Sequence, residues 1–342
     1  MASLNAIAKK LVEPGKGILA ADESEPTIAK RFTKIGLPST PDLRRDYREM
    51  LFRAEAMKKY ISGVILTEET LEQHAADGTE FRALLADADV IPGIKVDKGA
   101  FPMPGESGEK ITEGLDGLRQ RLTRYAALGA GFAKWRSVIT ISDLAPTRNG
   151  IRANAHVLAR YARLCQESGI VPVVEPEVVG DGEPGDHSIA RCEDVTGETL
   201  EMVFSELRLA GVDLSGILLK PNMVLPGIWS PRKADVEEVA RRTVETLRAF
   251  VPATVPGIAF LSGGQSDEEA TAHLNAMNQI GSVPWPLTFS YGRALQNAAL
   301  QIWSGRPENV AAAQKAFNHR AHMNALASKG EWRGELELDK AA

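Results

Sequence analysis

The 342-residue sequence has few cysteines, no long apolar run and little net charge of either sign. Cys165 and Cys192 are its two cysteines, with neither a CxxC motif nor the paired spacing of a disulfide framework. They read as reduced thiols, and a redox function is disfavoured. Cys165, inside VLARYARLCQESG, reads as a packing residue. No uncharged apolar stretch approaches the roughly 18–20 residues that cross a bilayer. The opening MASLNAIAKKLVEPG lacks the apolar core of a signal peptide, so a cytoplasmic protein away from membranes is expected. Forty Lys and Arg against 45 Asp and Glu leave a formal charge of −5, which gives no global pull toward nucleic acid. The six histidines are scattered: His319 and His322 stand at i,i+3 and read as surface residues, and His187 stands alone in a Gly/Asp-rich loop. No metal site is expected. The five tryptophans are dispersed and make no stacking platform.

What the chain does have is a series of apolar, β-leaning runs. They lie at 17–24 (GILAADES), 61–67 (ISGVILT), 90–97 (VIPGIKVD), 132–139 (FAKWRSVI), 170–177 (IVPVVEPE), 215–222 (SGILLKPN), 257–264 (GIAFLSGG) and 286–293 (PLTFSYGR). Segments of helical period separate most of them. LDGLRQRLTRYAALG places Leu115, Leu118, Leu122 and Tyr125 at three- and four-residue steps; TGETLEMVFSELRLAG and DVEEVARRTVETLRAF do the same. Strands spaced by helices imply βαβ units and a parallel sheet. Eight such runs suit one closed (β/α)8 TIM barrel over residues 1–342, with extra N- and C-terminal helices and a short tail at 330–342. A doubly wound open sheet is the rival, but no GxGxxG or GxxxxGK[ST] follows the first run, and no Pro/Gly/Ser-rich linker divides the chain.

A parallel barrel carries its site at the C-terminal strand ends, and side chains at i and i+2 share a face. Five runs place polar or ionisable pairs at that end: Asp22 with Ser24, Lys95 with Asp97, Lys134 with Arg136, Glu175 with Glu177, and Lys220 with Asn222. One pair alone is as well explained by a salt bridge at a solvated strand end. Five converging pairs with three lysines read as a pocket that supplies proton donors, acceptors and phosphate contacts. The seventh run ends Ser262-Gly263-Gly264 and the eighth Ser290-Tyr291-Gly292-Arg293. Small residues there let backbone N–H groups approach an anion, in the two loops where many barrels hold phosphate.

The blocks GKGILAADES, GVILTEET, GIKVDKG, LDGL, FAKWR, RANAHVLARYA, GIVPVVEPE, LLKPNMV, FLSGGQS and LTFSYGRALQ, in this order from about Lys16 to about Lys329, resemble the class I (Schiff-base) fructose-1,6-bisphosphate aldolases. The resemblance implies a (β/α)8 barrel that reversibly splits fructose 1,6-bisphosphate, in glycolysis and gluconeogenesis, without metal or cofactor. It implies that Lys220 is the Schiff-base lysine and Glu175 the general acid and base, with Glu177 holding or sharing that proton. It makes Asp22 the acceptor of the C4 hydroxyl proton, and Lys134 the group that orients substrate and keeps Lys220 deprotonated. Ser262, Gly263, Gly264, Ser290, Gly292 and Arg293 match the phosphate contacts at the ketose end; Ser24, Arg31 and Lys95 suit the other phosphate, and Arg136 joins the substrate contacts. The only partners implied are a small phosphosugar and further copies of the chain, as a homotetramer. A related Schiff-base aldolase for another sugar, such as sedoheptulose 1,7-bisphosphate, is the near alternative; a non-catalytic scaffolding barrel is the distant one.

The sequence departs from the family pattern twice. Larger members end in a tail with a terminal tyrosine that assists proton exchange, whereas no tyrosine follows Tyr291 here. Glu25-Pro26-Thr27 stands where members commonly read Thr-Gly-Ser, leaving the phosphate contacts near Ser24 open.

Overall fold

The apolar runs fold into eight parallel strands in the computed structural model, which describes residues 3–105, 108–180 and 185–338. The strands are β1 Gly17–Ala20, β2 Ile61–Leu66, β3 Ile91–Lys95, β4 Phe132–Ile139, β5 Val171–Val178, β6 Leu218–Leu219, β7 Ile258–Phe260 and β8 Leu287–Tyr291. Each pairs in parallel with its neighbours in sequence, and β1 also pairs with β8, so the sheet closes into the expected barrel. The helix Leu4–Leu11 precedes β1 and the helix Val310–Ala327 follows the barrel.

Two apolar layers hold the barrel. Inside its N-terminal half, Ile18, Ile65, Phe132, Val171, Val173 and Leu218 pack with Leu11 and Val12, so the leading helix plugs that mouth. Phe132 fits because β3 and β2 carry glycine beside it. A β-carbon on Gly93 would stand 2.3 Å from the Phe132 ring, and one on Gly63 would stand 2.5 Å from the Leu11 side chain. Burying each such ring contributes about 1.5–3 kcal/mol. The second layer lies between strands and helices. On β4, Trp135 turns outward onto Tyr161 of the helix Arg148–Glu167, with ring centroids 5.5 Å apart. Its neighbours Lys134 and Arg136 then face inward, as a period of two requires.

Six of the eight strands stop short of the C-terminal ends of their apolar runs, while β4 fills its run and β5 passes its own by one residue; β6 is the shortest of all. A 3-10 turn at Leu214–Gly216 takes the start of that run. Pro221, with no N–H to donate, ends the ladder after Lys220, whose own N–H still reaches the Val174 carbonyl at 2.8 Å. Asn222 therefore does not share the face of Lys220. Its Oδ1 accepts from the Val178 N–H at 3.0 Å and its amide donates to Thr196 Oγ1 and the Met223 carbonyl, a side chain standing in for the lost ladder.

Within the C-terminal stretch expected as a tail, Trp332 and Glu337 are packed while Leu338 is exposed. A 3-10 turn at Gly334–Glu337 docks by a Trp332 N–H bond to Asn275 Oδ1 at 2.9 Å and by buried Glu337; residues 339–342 lie outside the described residues. Among the described residues, no helix is long and apolar enough to cross a membrane.

Candidate active site

A cavity of about 750 Å³ opens at the C-terminal end of the barrel, lined by Asp22, Ser24, Arg31, Lys95, Lys134, Arg136, Glu175, Lys220 and Gly292 among others. Its floor is a chain of four charges. Lys134 Nζ lies 2.7 Å from Asp22 Oδ2 and 3.4 Å from Glu175 Oε2, and Lys220 Nζ lies 3.2 Å from Glu175 Oε1. Lys134, Glu175 and Lys220 are each at most 4% exposed. Burying charge is costly unless it is paired, and two carboxylates here match two ammonium groups. Burial pushes the Asp22 carboxyl up, but Lys134 and Lys220 outweigh it and bring it down to about 2. Burial likewise disfavours the Lys134 cation, yet Asp22 and Glu175 hold it above the ordinary lysine range.

The two lysines thus differ. Among the described residues, Lys134 is pinned between two carboxylates, whereas Lys220 has one carboxylate contact. Moving the Lys220 proton to Glu175 leaves the total charge of the floor unchanged and frees an amine that can attack a carbonyl. Cationic neighbours alone do not account for this, because Asp22 and Glu175 offset them. Glu177 is occupied elsewhere: Arg136 donates to it through Nε, and its carboxylate lifts Arg136 above the ordinary range. The geometry pairs Glu177 with a guanidinium in place of the shared proton expected with Glu175.

One wall holds further ion pairs. Lys95 Nζ donates to the Asp97 carbonyl at 2.9 Å and to its carboxylate at 2.6 Å, and Asp97 also accepts the Gly99 N–H at 3.2 Å. Arg31 donates to Glu23, which Arg48 engages through its other oxygen. Arg31 was expected at the end away from Gly292, yet its Nη2 lies 3.8 Å from where a β-carbon on Gly292 would stand. It belongs to the Gly292 end because Glu23 and Gln296, which reaches Glu23 at 3.1 Å and the Ala20 carbonyl at 2.7 Å, hold that corner together.

The two glycine loops are unequal anion sites. The helix Asp267–Ile280 after the first is closed by its own capping box between Ser266 and Glu269, and three acids fill its first turn. The helix Arg293–Trp303 starts at Gly292 with no side-chain cap, so no capping side chain competes with an anion at that helix start. Gly263 and Gly264 line a separate cavity of about 310 Å³ with Gln265 and His273. Gly264 takes φ +79°, which turns the chain toward the capped helix. Gly263 still abuts Glu177, whose Oε1 would lie 3.1 Å from a β-carbon there. Ser290, 1% exposed, has an Oγ without a hydrogen-bond partner among the described residues.

Residues 3–342 match the family model for fructose-bisphosphate aldolase class-I, of the glycolytic type. The chain belongs to the class I fructose-bisphosphate aldolases. It is 54% identical over 328 residues to the probable fructose-bisphosphate aldolase class 1 of Xanthomonas campestris, which covers 96% of this chain and 97% of that protein. Mouse fructose-bisphosphate aldolase C is 51% identical over 341 residues, 99% of this chain and 93% of the mouse one. The fructose-bisphosphate aldolase of Plasmodium falciparum, solved in complex with TRAP and a small-molecule inhibitor, superposes with TM-score 0.95 at 49% identity, over 97% of this chain and 95% of that one.

Within this member of the aldolase family, the sequence-predicted residues divide by distance from the cavity. Asp22, Ser24, Arg31, Lys95, Lys134, Arg136, Glu175, Lys220 and Gly292 line it, and Glu177 joins through Arg136. Ser262, Gly263, Gly264, Ser290 and Arg293 stand outside its lining. Glu23, Arg48 and Gln296 escaped the sequence reading, because Glu23 lies between the two paired positions Asp22 and Ser24 and its partners come from distant helices. Glu23 is held below the ordinary carboxyl range: burial raises it, and Arg48 and Arg31 more than reverse that. His319 is no solvated surface histidine either, for Glu337 lies 3.0 Å from its Nε2.

Proposed function

We propose that this chain catalyses the reversible cleavage of fructose 1,6-bisphosphate to dihydroxyacetone phosphate and glyceraldehyde 3-phosphate through a Schiff base on Lys220. The observation that carries this reading is the unequal standing of the two buried lysines. Lys134 is held as a cation between Asp22 and Glu175, while Lys220 faces, among the described residues, a single carboxylate at 3.2 Å that can take its proton.

The neutral Lys220 amine attacks the C2 carbonyl to form a carbinolamine. Glu175 returns the proton to the departing oxygen, water leaves, and a protonated imine remains. Asp22, ionised at neutral pH, takes the C4 hydroxyl proton. As the C4 oxygen becomes a carbonyl, the C3–C4 bond breaks and its electron pair flows into the imine to give an enamine. Glyceraldehyde 3-phosphate departs, a proton returns to C3, and hydrolysis of the imine releases dihydroxyacetone phosphate. The Lys134 cation lies beside both carboxylates and screens the charge moving between them. The C1 phosphate sits at the open start of the Gly292 helix with Arg31, Arg293, Ser290 and the Ser262–Gly264 loop; Lys95, Ser24 and Arg136 serve the other end.

An enzyme-coupled assay of purified protein tests the reading. Fructose 1,6-bisphosphate is expected to be cleaved at least as efficiently as sedoheptulose 1,7-bisphosphate, and Lys220→Met to lose at least about 10³-fold in kcat. A clear preference for the seven-carbon sugar would favour the alternative substrate, and cleavage of neither would leave a non-catalytic barrel.

A further inference from the structure

Arg320, on the helix Val310–Ala327, is a cation only 5% exposed that the proposed mechanism does not use. Its carboxylate partner comes from the C-terminal turn: Nη1 donates to Glu337 Oε2 at 2.5 Å. Glu337 is itself held from two further sides, by His319 Nε2 at 3.0 Å and by the Trp332 indole N–H at 3.0 Å. The other arm of the guanidinium reaches the opposite way. Nη2 donates to the Asp267 carbonyl at 3.1 Å and to Thr271 Oγ1 at 2.6 Å, both in the first turns of the helix that directly follows Ser262-Gly263-Gly264-Gln265.

That helix start is tied to the second phosphate loop as well. The Tyr291 hydroxyl, one residue before Gly292, donates to the Ala270 carbonyl at 3.1 Å. The Asp267 side chain lies in the field of both Arg320 and Arg293. Beside the Arg320–Glu337 pair lies a cavity of about 370 Å³ lined by Ala298, Ile302 and Ala316, so apolar packing does not fill the space around the pair. Polar contacts share the positioning of the helix start with the buried Ala270 and Leu274.

We infer that Glu337 and Arg320 are positioning residues that brace the ketose-end phosphate loops from behind, coupling the C-terminal turn to the affinity for phosphate. The inference rests on the reading of those loops as the C1-phosphate site. Removing Glu337 leaves a buried guanidinium without its counter-charge. The guanidinium then relaxes, and the Asp267 turn and the loop before it move with it. Phosphate contact is lost, whereas the Lys220–Glu175–Lys134–Asp22 floor stays in place.

The test compares Glu337→Ala, Glu337→Gln and Thr271→Val in the full chain, with Ser262→Ala as a direct loop control. Three quantities are read: KM for fructose 1,6-bisphosphate, Ki for inorganic phosphate, and kcat. For Glu337→Ala we expect KM and Ki to rise together by about three- to tenfold with kcat within about twofold, as for a lost binding interaction that is equal in ground and transition states. Glu337→Gln, which keeps the oxygen acceptor, is expected to recover part of the loss, and Thr271→Val to show a smaller rise. If Glu337→Ala does not fold, the other two variants carry the same test. Unchanged KM and Ki in folded variants, with Ser262→Ala raising both, would overturn the brace and spare the loop assignment. Unchanged constants in Ser262→Ala too would overturn the loop assignment on which the brace depends.

Discussion

At Asp22 burial and two ammonium groups pull in opposite directions, and the ammonium groups win: the carboxyl falls from 3.8 to about 2. The sign of the linkage follows. A carboxyl depressed in the folded state contributes stability that is present above its unfolded value and lost as pH falls through its folded value. Asp22 therefore contributes in full above about pH 4. The contribution fades toward pH 2, and its size is on the order of 2 kcal/mol. The stability gap between the wild type and Asp22→Asn, from urea midpoints, is expected to narrow as pH is lowered from 5 toward 3. A gap constant over that range would contradict the pairing with Lys134. At this scale most of the floor was legible in the sequence, because Asp22, Glu175 and Lys220 each stand near the end of an apolar run, while Lys134, third in its strand, comes level with them through its register with Lys95 at the end of β3. The corner around Glu23 was not. Its partners Arg48 and Gln296 lie 25 and 273 positions away, and nothing local in the chain marks them as neighbours.

Among the elements, the barrel strands were found by their apolar runs, while their ends were misjudged. Lys220-Pro221-Asn222 reads as a continuing strand by alternation, yet a proline without an N–H stops the ladder and Asn222 is drawn into the backbone pairing of β5. Alternation holds only while the ladder continues, so the Lys220–Asn222 pair failed where Lys134–Arg136, inside an eight-residue strand, held. The small residues of the strands carry a separate message. Gly93 leaves the space that Phe132 fills, with 2.3 Å between the ring and a would-be β-carbon. Gly93→Ala is expected to destabilise the protein by about 1–3 kcal/mol through overpacking, read as a fall in the urea midpoint at unchanged slope. A change below about 0.5 kcal/mol would mean that Phe132 has room to move, and that the plug of the N-terminal mouth is looser than described.

Across the whole molecule, the division of labour is between a rigid apolar end and a charged open end. The leading helix, Phe132 and Leu11 close one mouth, which leaves the C-terminal ends of the strands as the place where buried charge meets solvent. Regular repetition of strand and helix made this architecture readable from sequence. The C-terminal turn was not readable, because Glu337 acquires its role only through Arg320, Trp332 and His319 after the chain has closed. The central claim concerns which of the two buried lysines, neighbours through Glu175, becomes covalent. It is tested most directly by borohydride reduction of the wild-type protein with dihydroxyacetone phosphate, followed by peptide mass mapping. The account predicts one reduced, phosphate-bearing three-carbon adduct, on the peptide containing Lys220. An adduct on Lys134, or no adduct under conditions where the enzyme turns over, would contradict it.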